Sequence, residues 1–500
     1  MTTPCNSLLK FKTSLFFLIA TIYLLFAKGL PWVEADFQLE ISRNLVQRHS
    51  PSLAKETNDT LLVQGKNGDW YDWHGITNVF LMTPIAMCEP IVSKVIHKDG
   101  GVKQVTSFWG ALTGVVVNAL ACVVFFSLLC SLGMSLKVSF YTTLCSAFFT
   151  IIFPYSSTNY EGNLNMLFIV SSLYFLFEFL RKQRLWHLVF CGIFAGLTIN
   201  TRDLSYVFLF FVSVFIFGTA LKEKNPKIIF VFLIGVAPFF FLWGWYNWIR
   251  TGGFFISPSA KAVLNKGYYY IDSIAIGVQK TVFNKNKNIF LYSPILILSI
   301  LGWNQFFREK KKECILIVSV VAFYLFGSTL LWSDFFSWGP RYTLEITPLL
   351  ILPLGYWLKP KFSPSKRFFI YSLAAYSLLI QFAGTLVNWH GRIRYFWDKD
   401  MEYVFYYRYP QLWDTVKILF INLWNLFLGT LHTFESAQYT PPEISNESLY
   451  ASNTVFTWWN RLMFMGVNPI WIGIYWVGSL LVVYCSVRYI LSFVRGEEGK

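Results

Sequence analysis

The stretch TSLFFLIATIYLLFAKGL (Thr13–Leu30), running straight into PWVEADFQLEISRNLVQRH (Pro31–His49), decides how the whole chain is read. Its first part is long and apolar enough to cross a bilayer as a helix, which satisfies its own backbone hydrogen bonds. Its second part is amphipathic. Phe37, Ile41 and Leu45 recur four apart and form one apolar stripe, while Glu40, Arg43, Asn44 and Arg48 face elsewhere. Such a helix lies along the membrane surface and holds two acids, Glu34 and Asp36, at the water boundary. Asp36 there admits two readings: the N-cap of the surface helix, a position Asp favours, or a catalytic base.

Outward from this stretch the same texture continues to the C-terminus. Of 500 residues 55% are hydrophobic, 20% aromatic and only 14% charged, with a mean hydropathy of +0.47, whereas a soluble domain carries about a quarter charged residues. The chain is therefore expected to be an all-α polytopic membrane protein. Spans fall at roughly Thr13–Leu30, Phe108–Leu132, Val138–Pro154, Leu164–Leu180, Trp186–Asn200 and Leu204–Leu221. A second set follows at Ile228–Trp245, Ile289–Trp303, Cys314–Trp332, Leu344–Leu358, Phe368–Val387 and Pro469–Leu491, about twelve in all.

The net charge of +15 points to nucleic acid only until its carriers are located. Lys10 and Lys12, Lys137, RKQR at Arg181–Arg184, KEKNPK at Lys222–Lys227, REKKK at Arg308–Lys312, KPKFSPSKR at Lys359–Arg367 and Arg495 all fall on one side of the span count. By the positive-inside rule that side is cytoplasmic, and both termini lie there. Nucleic acid is thereby excluded as a partner. Lys10 and Lys12 before an apolar run with no small-x-small cleavage site read as an uncleaved signal anchor. Seven of the eight cysteines sit in or beside spans and only Cys88 lies in an outer segment, so no disulfide framework or thiolate metal site is indicated.

Three units follow. Residues 1–388 form the transmembrane module, whose first outer loop is about 31–107. Residues 389–468 form an outer segment in which Lys417–Leu431 is an interfacial helix, and 469–500 hold the last span and a cytoplasmic tail. Phe80–Met87, too short to span, is also expected to be interfacial.

Polar side chains with chemical potential gather on the outer side. The middle loop holds Arg250, Lys261, Lys266, Lys280, Lys285 and Lys287, which suits an anion there or is simply charge tolerated in a longer loop. The link WSDFFSWGPRY (Trp332–Tyr342) brings Asp334, Trp338, Arg341 and Tyr342 together, with Glu345 following. The turn fixed by Gly339-Pro340 places Arg341 at the membrane boundary. Its guanidinium either binds a phosphate through two parallel hydrogen bonds or pairs with Asp334. The turn NTRDLSY (Asn200–Tyr206) carries Arg202 and Asp203, a plain ion-paired hairpin or part of a site. YSSTNYEGN supplies Glu161, a helix cap or a site acid. GDWYDWHG joins Tyr71, Asp72, Trp73 and His74, a combination that suits a sugar face, although Trp and Tyr also populate membrane interfaces unprompted. No His/Cys/Asp spacing matches a metal site, and no phosphate-cradling glycine loop or G-x-S-x-G elbow is present. An enzyme acting outside has no nucleotide donor; an activated group would most economically arrive on a lipid carrier.

The ordered set resembles the GT-C superfamily of integral-membrane glycosyltransferases. It is most similar to the branch of protein O-mannosyltransferases and the aminoarabinose transferase of lipid A. The pieces that carry it are EADFQLEISRNLVQRHSPSL, WYDWHGITNVFLMTPI, YEGNLNMLFIVSSLYFL, GIFAGLTINTRDLSYVFL and SWGPRYTLEITPLLILPLG, which cover the chain to about Gly355. The resemblance implies a GT-C-like architecture and transfer of a sugar, with inversion, from a polyprenyl-phosphate donor to an acceptor hydroxyl. It needs no cofactor beyond that lipid-linked co-substrate. The first-loop acid, Asp36, is then the general base. Arg341 and Arg202 hold the donor phosphate, and Glu161, Tyr71, His74, Trp338 and Tyr342 shape the substrate cavity. Family members often show a paired-acid motif, whereas here the acids are split as Glu34-Ala35-Asp36, so Glu34 shares the candidacy. The bilayer, the lipid-linked sugar and a glycan, lipid or protein acceptor are the implied partners, in a bacterial inner membrane with the site outside. Two rival readings are a transporter or flippase of lipid-linked sugars, and a polymerase or ligase of surface glycans. Sequons at Asn58 and Asn446 both fall outside.

Overall fold

The computed structural model describes residues 5–29, 33–53, 62–95, 101–261, 282–283, 286–330, 337–358, 363–387, 411–427, 457–459 and 468–498. Its helices in chain order are α1 (Cys5–Phe26), α2 (Val33–Arg48), α3 (Thr77–Val95), α4 (Gly101–Ser131), α5 (Leu136–Phe148), α6 (Ile152–Ser156), α7 (Glu161–Lys182), α8 (Leu185–Ile199), α9 (Tyr206–Glu223) and α10 (Lys227–Thr251). There follow α11 (Ile289–Tyr292), α12 (Leu296–Ile300), α13 (Trp303–Glu309), α14 (Lys311–Leu330), α15 (Thr347–Trp357), α16 (Pro364–Leu386), α17 (Gln411–Phe427) and α18 (Pro469–Glu498). The one sheet among the described residues is an antiparallel pair, β1 (Leu62–Gln64) and β2 (Trp70–Asp72), with Val63 opposite Tyr71. The protein is an all-α polytopic membrane protein. Among the described residues seven helices are long and apolar enough to cross a bilayer.

Several expected spans take a different form. Val138–Pro154 is broken into α5 and α6, Ile289–Trp303 into α11 and α12, and Leu344–Leu358 into a 3-10 turn (Arg341–Ile346) followed by α15. A broken helix inside a membrane must find other partners for the freed backbone groups. Here the breaks supply one another: Ser293, between α11 and α12, accepts from the Ile151 N–H at 3.1 Å through its Oγ. Gln381 of α16 donates to the Tyr292 carbonyl at 2.6 Å. Ile151, Tyr292 and Gln381 are all buried, so the irregular backbone is enclosed by protein.

Close helix crossings follow from small residues. At the α8–α10 contact a Cβ on Gly235 would stand 2.2 Å from the Val189 carbonyl oxygen, so the two helices approach to backbone contact, as small residues allow in membranes. One large apolar cluster unites α1, α4, α7, α9, α14 and α15. The segment between α1 and α4 has its own smaller core with α10: Ile41, Leu53, Leu62, Tyr71, Ile76, Val79 and, from α10, Tyr246, with Phe37 and Leu45 packed against it.

The expected stripe on α2 therefore faces protein rather than lipid. Part of its other side is held by protein as well, while Glu40 and Arg48 stay exposed. Leu39 packs with Met82 and Ala86, Ser42 donates to the Val79 carbonyl at 2.8 Å, and Arg43 pairs with Glu89 at 2.6 Å. The surface-helix expectation correspondingly changes to a helix clamped within the outer loop by α3, because its polar face carries partners as specific as its apolar one. Phe80–Met87 falls inside a longer helix, α3, which continues to Val95 through Pro84 and Pro90. Of the segment Lys417–Leu431, expected as an interfacial helix, residues 417–427 fall in α17, which starts at Gln411 and sends Leu412, Ile418 and Leu419 into the large cluster while Trp413, Phe420 and Trp424 stay exposed; residues 428–431 lie outside the described residues.

Candidate functional site

Three segments far apart in sequence meet at the N-terminal end of α7. Tyr160 is extended and feeds directly into the helix, placing Glu161 in the first turn, where the helix dipole favours a carboxylate. Arg202 leaves α8 in an extended conformation just before the short turn Asp203–Ser205. Glu345 arrives on the 3-10 turn Arg341–Ile346, which the chain enters through Gly339 at φ +61°. A side chain is rare at that backbone angle, and a Cβ there would also lie 2.7 Å from the Tyr292 ring.

Arg202 is the centre of this cluster. Its Nε lies 2.9 Å from Glu161 Oε1, and its Nη1 lies 2.5 Å from Glu345 Oε1 and donates to the Tyr160 hydroxyl at 2.7 Å. All three partners are buried. The far oxygen of Glu345 accepts from Asn165 Nδ2 at 2.6 Å, and that amide also reaches the Tyr324 hydroxyl at 2.9 Å. Buried charges persist where they are paired, and here both carboxylates pair with Arg202 while Glu345 takes a further hydrogen bond from Asn165.

Arg341 lies against the same two tyrosines. Its Cζ is 5.0 Å from the Tyr342 ring centroid and 5.7 Å from that of Tyr160, while Arg202 Cζ is 4.9 and 5.3 Å from them. Two guanidiniums therefore share two aromatic rings, each such contact worth about 0.5–2 kcal/mol. Arg341 Nη2 also donates to the Tyr342 hydroxyl at 3.2 Å. The rings orient both forks, and the two carboxylates fall to Arg202.

The segment between α1 and α4 joins the cluster through His74. Its Nε2 is 3.4 Å from Glu161 Oε1 and its Nδ1 is 3.3 Å from Asp72 Oδ1. The second Asp72 oxygen accepts from Gln38 Nε2 of α2 at 2.9 Å, and Gln38 Oε1 accepts from Asn78 of α3 at 2.6 Å. A continuous polar chain thus runs from α2 to Arg202. Burial pushes the Asp72 carboxyl up, but hydrogen bonds from His74, its charge and the Gln38 amide outweigh that and leave it below its ordinary value. The loop is seated by backbone contact. Gly75 N–H donates to the Thr201 carbonyl at 3.3 Å, and a Cβ on Gly75 would stand 1.7 Å from the Asn200 carbonyl oxygen.

The predicted residues divide accordingly. Arg202, Arg341, Glu161, His74 and Tyr342 come together. Tyr71 does not: it is buried in the loop's own core, edge-on to Tyr246 at 6.4 Å, with its hydroxyl accepting from Asn67 at 2.9 Å. Trp338 is also buried, packed on Tyr292 at 5.0 Å and against Gly384. It supports the link and holds it by its carbonyl, which accepts from the Tyr155 hydroxyl at 3.0 Å. Glu34 and Asp36 belong to α2, but their side chains lie outside the described part of the structure, as do Asp334, Lys266, Lys280 and Lys285. Arg202 does not pair with its neighbour Asp203, which accepts from Tyr206 at 3.1 Å instead. Arg250 spends its guanidinium on the outer loop, donating to the carbonyls of Asp72, Trp73 and His74 at 2.9, 3.1 and 2.6 Å.

Asn165, Tyr160, Gln38 and Asn78 escaped the sequence reading. A signal existed for the first: EGNLN sets Glu161 and Asn165 four apart, on one face of a helix that is otherwise apolar, where intramembrane polar groups mark function. Among the described residues no group of three His, Cys, Asp or Glu side chains is placed to hold a metal.

No family model matches the chain, and no curated protein matches it in sequence. Among solved structures it is similar to ArnT from Cupriavidus metallidurans bound to undecaprenyl phosphate. The identity is 11%, the TM-score 0.43, and 90% of this chain and 86% of that one are covered. The apo state of the same protein gives 11% identity, a TM-score of 0.46 and coverage of 89% and 84%. An oligosaccharyltransferase from Archaeoglobus fulgidus, tethered to an acceptor peptide containing the NVT sequon, gives 12% identity, a TM-score of 0.43, and coverage of 75% of this chain and 55% of that one. Overlap this slight carries no argument about the chemistry of this chain, which rests on its own residues.

Proposed function

We propose that this protein is a GT-C-type membrane glycosyltransferase. It moves a sugar from a polyprenyl-phosphate donor to an acceptor hydroxyl on the non-cytoplasmic face, with inversion. The observation that carries this reading is the meeting of Arg202 and Arg341 over Tyr160 and Tyr342, at the end of α7 opposite its basic C-terminus. Arg202 is fixed by two carboxylates, and Arg341 is oriented by ring faces at the mouth of the link. A planar fork so placed suits bidentate recognition of a phosphate. As the bond from the anomeric carbon to the phosphate oxygen breaks, negative charge grows on the leaving polyprenyl phosphate, and a preorganised guanidinium stabilises it. Asp36 accepts the proton of the acceptor hydroxyl as that oxygen attacks, general-base help worth about 10²–10⁴-fold. The basic clusters face the cytoplasm, so both termini are inside and the cluster at Glu161 is outside.

The test is transfer of labelled sugar from a polyprenyl-phosphate sugar by the full chain in detergent. Asp36→Asn is expected to leave normal amounts of folded protein and to reduce transfer by about 10²-fold or more. Arg341→Lys, which keeps the charge and loses the fork, is expected to raise the donor KM. Full transfer by the Asp36→Asn protein would remove that residue from the chemistry.

The paired breaks at Ile151 and Ser293 favour one second reading, since transporters build sites from interrupted helices. A flippase of lipid-linked sugars needs two compartments, so transfer in detergent separates the two.

A further inference from the structure

One side chain, His74, bridges the segment between α1 and α4 to the start of α7. His74 stands between two carboxylates from different parts of the fold, Asp72 at the end of β2 and Glu161 at the start of α7, at 3.3 and 3.4 Å. Its surroundings leave little else to vary. Arg250 holds the carbonyls of residues 72 to 74, the His74 N–H donates to Asp72 Oδ1 at 3.0 Å, and Gly75 sits on the Asn200–Thr201 backbone. The backbone is fixed, so the charge of the ring is the remaining variable.

An imidazolium donates from both nitrogens and can satisfy both carboxylates, whereas a neutral imidazole has one donor and must face the second carboxylate with a lone pair. Among the described residues, the charged groups at the ring are Asp72 from β2 and Glu161 from α7, with Arg202 behind Glu161 and Arg250 of α10 on the adjoining carbonyls. The two arginines already have other partners: Arg202 keeps Glu161 and Glu345, and Arg250 keeps its carbonyls. Loss of the ring proton therefore weakens the link between Asp72 and Glu161 and leaves the Arg202 cluster standing. Through Asp72 the effect reaches Gln38, two residues along α2 from Asp36.

We infer that His74, as imidazolium, is a positioning residue: a latch joining the Asp72–Gln38 network of the outer loop to the Glu161–Arg202 network of the body. It sets α2 relative to the arginines. The latch stands on geometry alone, while its consequence for catalysis rests on the transferase reading above.

The experiment compares the full-length protein with His74→Gln by thermal unfolding across pH values on either side of the ordinary histidine pKa of about 6.5. The wild-type midpoint is expected to exceed that of the variant by about 2–4 °C on the acid side. The gap should close as pH rises through the imidazole titration, and it should be absent in an Asp72→Asn background. A gap that is constant with pH, or undiminished in that background, overturns the latch. If His74→Gln does not accumulate, limited proteolysis of the first outer loop in the wild type gives the same reading: cleavage should accelerate as pH rises, and a flat profile overturns the proposal. Transfer assays form a separate arm. With the latch intact in both physical tests, absence of transfer at every pH refutes the transferase reading alone. If transfer occurs, its alkaline limb should be lost in His74→Gln.

Discussion

Helix α7 carries a buried glutamate at each end, and the two ends solve the same electrostatic problem in opposite ways. At its start the buried Glu161 and Glu345 share Arg202, whose side chain is about nine-tenths enclosed, with Asn165, Tyr160 and His74 as further partners. At its close Glu178 has two bases to itself. Arg181 lies 2.6 Å away and Lys182 is also bonded to it, both with about half their side chains in solvent. Each end agrees with the helix dipole, acid at the N-terminus and base at the C-terminus. The difference is water. Where bases reach solvent an ion pair is adjustable and weak; where none reaches it, every charge needs a fixed partner and removing one strands the others. A site that binds an anion without reorganising needs the enclosed arrangement at the start of α7, not the solvated one at its close.

The largest way to break this contrast is Arg202→Leu. Two buried carboxylates would lose their common cation, and such a loss is expected to cost about 3–5 kcal/mol. Thermal unfolding and folded yield in detergent check it, and Arg202→Lys should recover only part. Next comes Gly75→Ala, whose methyl has backbone in its way at the seat of the outer loop. Overpacking of about 1–3 kcal/mol follows, read as increased proteolysis of the first loop with the transmembrane core intact.

Asp72 sharpens the comparison through pH. Its folded carboxyl titrates below its ordinary value, so the stability it contributes is complete above the unfolded pKa of about 3.9. That contribution is lost as pH falls through the lower, folded value. Asp72→Asn should flatten this acid limb of the unfolding midpoint, and an unchanged limb would show that other carboxyls govern it. The smallest effect is expected from Glu178→Gln, at most about 1 kcal/mol, because its partners are solvated and screened. A loss there as large as that of Arg202→Leu would erase the distinction drawn between the two ends.

Much of the fold was legible. The long apolar runs ending at Phe26, Ser131, Lys182, Glu223 and Leu386 became helices that can span, because hydrophobic length is a local property read along one segment. The runs at Val138–Pro154 and Ile289–Trp303 looked equally continuous. Pro294 marks the second break locally, but the partners that Ser293 and Gln381 find for backbone groups on other helices are encoded in no local pattern. The apolar stripe of Phe37, Ile41 and Leu45 was real, but its target was misjudged. An amphipathic period says that one face is buried, not whether lipid or protein buries it.

What the amino-acid order determined alone was the solvent of each segment: which stretches belong in a bilayer, where they end, and that arginines, acids and aromatics collect at those ends. It could not assign partners. Arg202 had an acid beside it at Asp203 and chose two others, one 41 and one 143 positions away, counting from residues 161 and 345. Tertiary structure made that choice because burial raises the cost of an unmatched charge far above the entropy of reaching a distant one. Packing of α7, α8 and the Arg341–Ile346 turn brought those carboxylates within reach.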